Sequence, residues 1–218
     1  MSRLELVGLS IAYPEKRILD CAHLTFEAGL VWLTGENGSG KSSALRTLAG
    51  ALPGYRGTLR LNGVEEASHP AAYRRQLFFC DSDEVPLPWL VPSQWARLAA
   101  EVLPAFDEAA WRAGLDAFRL TGTERQPLDE LSLGTGRKHF LALSFASGAR
   151  LLLFDEPYNA LDDLACEVLE AGMARALERG ALVIVASHRR PRHLVPARVL
   201  RIGGGVLHPV TGQFSGWV

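Results

Sequence analysis

The chain has 218 residues, 48% hydrophobic and 22% charged, a balance that supports a full globular core and argues against disorder. With 23 basic and 24 acidic residues and a formal charge of −1, no overall field draws it to nucleic acid or to an anionic membrane surface, so no nucleic acid is expected among its partners. No apolar run approaches the roughly 20 residues that span a bilayer, and Met1-Ser2-Arg3-Leu4-Glu5 begins no signal-peptide core, so a cytoplasmic location is expected. Cys21, Cys80 and Cys166 are odd in number and far apart, reading as reduced small hydrophobes; the six histidines show no ligand spacing for a transition metal.

In chain order, residues 4–13 alternate as a strand, Pro14-Glu15-Lys16 reads as a turn, and a second strand is expected over about 18–27. The apolar run Leu30-Val31-Trp32-Leu33 then leads, as a buried strand, into Gly35-Glu36-Asn37-Gly38-Ser39-Gly40-Lys41-Ser42. That octet fits G-x-x-x-x-G-K-[ST] at every fixed position, and Ala44-Leu45-Arg46-Thr47-Leu48-Ala49 leaves it as a helix. Glycines let the backbone turn tightly and bring successive N–H groups against phosphate oxygens, and the helix adds its positive end. Lys41 is expected to reach the β- and γ-phosphates and the Ser42 hydroxyl to take one position on Mg²⁺, so Gly35 through Ser43 form a predicted ATP-binding set.

Downstream, Thr58-Leu59-Arg60-Leu61 is a strand closed by Asn62-Gly63, and Leu77-Phe78-Phe79-Cys80 is a short buried strand. An acidic turn, Asp81-Ser82-Asp83-Glu84, and prolines at 86, 88 and 92 follow. Ser93 is expected to cap a helix through about 103 and Asp107 another to about 119, with Trp95, Leu98, Val102 and Trp111, Leu115, Phe118 as their apolar stripes. Residues 82–130 thus read as an inserted α-helical subdomain between two stretches of catalytic core, 1–81 and 131–218. Leu131-Ser132-Leu133-Gly134-Thr135-Gly136 opens a long helix expected over about 137–149, which Ser132 can N-cap. Leu151-Leu152-Leu153-Phe154 ends in Asp155-Glu156-Pro157, a helix covers about 162–179, and Ala181–Ala186 is another fully apolar strand, as suits a parallel sheet buried on both faces. Two last strands, near 197–202 and 205–208, are joined by Gly203-Gly204-Gly205. The fold class is α/β: a P-loop NTPase with a RecA-like parallel core, an N-terminal antiparallel β layer and a helical insertion.

Four apolar residues running into two carboxylates suggest metal chemistry: Asp155 can hold Mg²⁺ near Ser42, and Glu156 can orient or deprotonate a water attacking the γ-phosphate. A carboxylate pair capping the next turn is the structural alternative. The order of these elements, over nearly the whole chain, resembles the ATP-binding-cassette (ABC) ATPases. The resemblance implies that Tyr13, otherwise a turn tyrosine, stacks on adenine; that Leu131-Ser132-Leu133-Gly134-Thr135 is the signature segment, with Ser132 and Gly134 contacting the γ-phosphate held by a second protomer; and that Asn159-Ala160-Leu161-Asp162 is the D-loop. It implies too that His188, after an apolar strand, is the switch histidine rather than a structural one. The sequence departs from the family at Leu133, at Thr135, where glutamine is usual, and at Asp81, which stands where the Q-loop glutamine belongs and is expected to accept a bond from metal-bound water. Arg189, Arg190 and Arg192 read as a solvated face.

The resemblance implies an ATPase subunit that dimerises around ATP, with a second copy or a close relative (a homo- or heterodimer), and drives a separate transmembrane permease, sitting on the inner face of the membrane through that partner. Alternatives are a soluble non-transport ABC ATPase in cofactor assembly or nucleic-acid work, a low-turnover nucleotide-dependent regulatory module, and, more distantly, a P-loop kinase.

Overall fold

The computed structural model describes residues 1–13, 16–82 and 89–210. The expected turn at Pro14 and Glu15, and Asp83, Glu84, Pro86 and Pro88 of the acidic, proline-rich run, lie outside them. The elements are β1 (Arg3–Tyr13), β2 (Lys16–Glu27), β3 (Gly29–Thr34), α1 (Lys41–Leu48), β4 (Arg56–Leu61), β5 (Val64–Glu65), α2 (Pro70–Arg74), β6 (Leu77–Cys80), α3 (Pro92–Val102), α4 (Glu108–Ala117), α5 (Leu133–Ala146), β7 (Leu151–Asp155), α6 (Asp163–Glu178), β8 (Leu182–Ala186), β9 (Arg198–Gly203) and β10 (Val206–Pro209).

The strands form two sheets. An antiparallel sheet has the order β2-β1-β4-β5, its last hairpin turning at Asn62-Gly63, both with positive φ as a two-residue turn of that sequence requires. The second sheet runs β10-β9-β3-β8-β7-β6, with β9, β3, β8, β7 and β6 parallel and β10 an antiparallel edge.

The apolar runs lack visible alternation in sequence because both sheet faces are buried, yet period two still sorts them. Leu151, Leu153, Leu182, Ile184 and Ala186 face a core shared with α1 and the antiparallel sheet. Leu152, Phe154, Val183 and Val185 face a second core made with α3, α4, α5 and α6. The mostly parallel sheet is therefore the wall between two hydrophobic cores. That wall sets its carboxyl-terminal strand ends side by side, where ligands bind in open α/β sheets.

Three helix expectations are corrected. Val91, not Ser93, occupies the α3 N-cap, because Pro92 opens the helix with its preset φ and missing donor, and the Gln94 side chain accepts the Val91 N–H at 3.0 Å. The buried side of α3 is Pro92, Ala96 and Ala99; of the expected stripe Trp95 packs inward on Phe140, whereas Leu98 and Val102, at 41% and 54% exposure, point outward. In α5 Ser132 is the N-cap, as expected, its hydroxyl accepting the Thr135 N–H at 3.2 Å, but the first turn starts at Leu133 rather than at Arg137, since two glycines inside that turn lower its propensity. The α4 expectation holds: Asp107 caps it by accepting from Ala110 N, and Trp111, Leu115 and Phe118 are buried.

Candidate functional site

Four parallel strand ends deliver the site. The end of β3 passes into the phosphate loop, where Gly40 has φ 109° and a Cβ there would lie 2.4 Å from Ile18 Cγ2. Only glycine fits both constraints. Gly40 is also the N-cap of α1, with no side-chain cap and no acidic residue in the first turn, so the helix offers its amino end to an anion. Lys41 is buried, its Nζ donating to the carbonyls of Gly35 at 2.9 Å and Glu36 at 3.2 Å. Tyr13 lies beside the same helix, its hydroxyl 3.4 Å from Ser43 Oγ, and the residue is 48% exposed.

At the end of β7, Asp155 is fully buried. Burial pushes its carboxyl above the usual range, and the hydroxyls of Ser42 and Ser82 act in the opposite direction. Its Oδ2 accepts from Ser82 Oγ at 3.1 Å, whereas Oδ1 completes no hydrogen bond among the described residues. An orphaned carboxylate oxygen flanked by two hydroxyls is a hard, oxygen-only donor set, which fits Mg²⁺ held partly by phosphate; among the described residues no cluster of three His, Cys, Asp or Glu exists to hold a softer ion.

Glu156 sits one residue past the strand at φ 44°, a left-handed conformation that a non-glycine residue adopts only when its surroundings impose it. Those surroundings are visible: its N–H donates to Ala186 O at 2.8 Å, and the Arg137 guanidinium donates to the carbonyls of Glu156 at 2.6 Å and Asp155 at 2.7 Å. At the end of β8, Trp32 Nε1 donates to Ser187 O, and His188 follows. His188 Nε2 lies 2.7 Å from Asn37 Oδ1, 3.2 Å from Lys41 Nζ and 3.5 Å from Glu156 Oε1. Lys41, Glu156 and His188, 147 residues apart at the extremes, thus meet at one point.

The signature and D-loop expectations fall together on another part of the surface. Ser132 is exposed, capping α5, and Thr135 turns its hydroxyl onto Ser132 Oγ at 2.8 Å. A Cβ on Gly134 would lie 2.7 Å from Ala160 O, and Lys138 Nζ donates to Asp162 at 2.6 Å, so the signature helix is strapped to the D-loop.

Two expectations change. Asp81, expected on the metal side, has both carboxylate oxygens on Arg46 of α1, at 2.7 and 2.8 Å. The arginine cluster is not simply a solvated face: the Arg189 guanidinium lies 5.3 Å over the Tyr158 ring and 3.3 Å from Cys166 Sγ, and only Arg192 of the three is exposed. Buried Glu170 fixes this turn by accepting from the backbone N–H groups of Arg192 and His193. Sequence reasoning missed Arg46, Ser82, Arg137 and Glu170. An unmatched Asp81 was the one signal that a cation should stand near; nothing local distinguishes the others.

Comparison with known proteins agrees with this geometry. The ABC transporter family profile matches residues 19–159. The cytochrome c biogenesis ATP-binding export protein CcmA of Pseudomonas fluorescens is 33% identical over 189 residues, 85% of this chain and 88% of that protein. The ABC-type transporter ATP-binding protein EcsA of Bacillus subtilis is 28% identical, over 86% of this chain and 78% of that protein. A solved structure of the ATP binding subunit of an ABC transporter superposes with a TM-score of 0.85 at 26% identity, covering 95% of this chain and 89% of that one. The chain belongs to the ABC transporter family, as one of its ATP-binding, ATP-hydrolysing subunits.

Proposed function

We propose that Lys41 and the N–H groups from Gly35 to Ser43 bind the β- and γ-phosphates of ATP, that Tyr13 lies against adenine, and that Glu156 is the general base of hydrolysis. In that reaction the water oxygen bonds to the γ-phosphorus as Glu156 accepts the water proton. The bond from phosphorus to the β–γ bridging oxygen breaks, releasing ADP and phosphate. His188, beside both Lys41 and Glu156, contacts the γ-phosphate. Mg²⁺, when bound, would neutralise phosphate charge. Ser42 and Asp155 would hold it.

The observation that carries this reading is the convergence of Lys41, Glu156 and His188 from three strand ends. It is tested by Glu156→Gln, which should still bind ATP while hydrolysis falls about 10²- to 10⁴-fold, the range of a general base. Wild-type turnover by that variant removes Glu156 from the role.

The second half of each site is Ser132 and Gly134 of another copy of this chain, which carries both halves and is therefore self-complementary. The exposure of Ser132 at the N-cap of α5 supports this reading. The γ-phosphate then favours the closed dimer by binding it better than the open one, and hydrolysis removes those contacts. The division into core (1–81 and 131–218) and helical subdomain (82–130) belongs to the same proposal, the helical part facing a separate transmembrane permease that holds the subunit at the inner face of the membrane. Among the described residues no helix is long and apolar enough to cross a membrane. Relatives named as cytochrome c biogenesis export proteins favour export as the work done.

A further inference from the structure

We infer that Ser82 supplies the metal-side group that follows β6, and that the Arg46–Asp81 ion pair is the positioning device that places it there. The inference rests on reading Asp155 and Ser42 as the Mg²⁺ seat.

Asp81 and Ser82 follow directly on a strand that pairs with β7, so the two residues arrive beside Asp155 by register. Their side chains divide the work. Both oxygens of Asp81 are engaged by one guanidinium in the two-point geometry that fixes a carboxylate in orientation as well as place. The same contact offsets a negative charge that would otherwise add to that of Asp155. Ser82 Oγ, one residue on, lies 3.1 Å from Asp155 Oδ2, and the Ser82 carbonyl is 3.4 Å from Arg137 Nη1, the guanidinium that also holds the carbonyls of Asp155 and Glu156. A hydroxyl can donate to the carboxylate while offering its lone pairs to a metal-bound water. A carboxylate already fixed on arginine is poorly placed to do the same.

The anchor is as informative as the hydroxyl. Arg46 stands on α1, the helix whose first two residues are Lys41 and Ser42. The segment after β6 is therefore clamped to the phosphate-binding helix by side chains rather than reaching the site through a single amide.

The test is ATP affinity measured twice, with Mg²⁺ and with EDTA, so that the metal-dependent gain is read separately from binding to the loop. Asp155→Asn serves as the reference and should abolish the gain. Ser82→Ala should reduce it about tenfold, the scale of one hydrogen bond to a charged group, with the EDTA affinity unchanged. Ser82→Thr, which keeps the hydroxyl, should restore it. Asp81→Asn should reduce the gain about threefold by releasing Arg46, again without effect in EDTA. A full gain in Ser82→Ala with loss in Asp155→Asn overturns the role of Ser82 and leaves the metal seat standing. A full gain in Asp81→Asn overturns the positioning role, and a gain retained in Asp155→Asn overturns the seat itself.

Discussion

Two glycine-containing loops open helices in this molecule, and they are built in opposite ways. The loop before α1 leaves the centre of the parallel sheet, has glycine at the N-cap and no capping side chain, and buries its lysine. The loop before α5 caps itself through Ser132, stands at the surface and leaves Leu133 69% exposed. The first is shaped to receive an anion within its own chain, and the second is presented outward. On the proposed reading one chain carries two unlike halves of a phosphate site, the arrangement a symmetric pair would require.

Removing the charge from the first loop should give the largest effect. Lys41→Ala should weaken ATP binding by about 100-fold or more, since a buried charge-assisted contact to phosphate disappears, and nucleotide titration measures it. The second loop should respond differently. Gly134→Ala drives a Cβ to 2.7 Å from the Ala160 carbonyl, so backbone must move; hydrolysis should drop about 10-fold or more while ATP affinity of the isolated chain stays unchanged. Equal loss of affinity in both variants would erase the distinction between the loops.

The helices behind the loops should also differ in pH response. His139 of α5 is buried, with Nε2 2.9 Å from Thr123 Oγ1 and Nδ1 lacking a hydrogen-bond partner among the described residues. Burial lowers its pKa from 6.5 to about 4. The unfolded chain therefore binds the proton more readily, so this stability is fully present above pH 6.5 and is lost as pH falls toward 4. Unfolding free energies from urea titrations across that interval should show a decline of about 3 kcal/mol that His139→Gln removes. The smallest effect is expected at the edge of the helical region, where Asp107→Ala should lower stability by about 1 kcal/mol through loss of the α4 cap.

Strands β3, β6, β7 and β8 of the parallel sheet were legible because each is a short apolar run, and the phosphate loop because its spacing is tied to one ligand. Helix starts were less so. Proline at the first position of α3 and glycines in the first turn of α5 shift boundaries that propensity alone places elsewhere. The apolar stripe of α3 was misread because small Ala96 and Ala99 carry the close packing while larger Leu98 and Val102 face out. The pairing of Arg46 with Asp81, and of Arg137 with two carbonyls, joins residues on different elements, and no local period encodes such contacts. The site is therefore readable where chemistry repeats a spacing, and hidden where one side chain corrects another.

The shared site is tested most directly by the mass in solution of the Glu156→Gln variant with Mg²⁺ and ATP, alongside the double variant Glu156→Gln, Ser132→Arg. The expected result is a dimer holding one ATP per chain for the first, and an ATP-bound monomer for the second. A Glu156→Gln variant that binds ATP yet stays monomeric, or a double variant that dimerises equally well, would contradict a site divided between two copies.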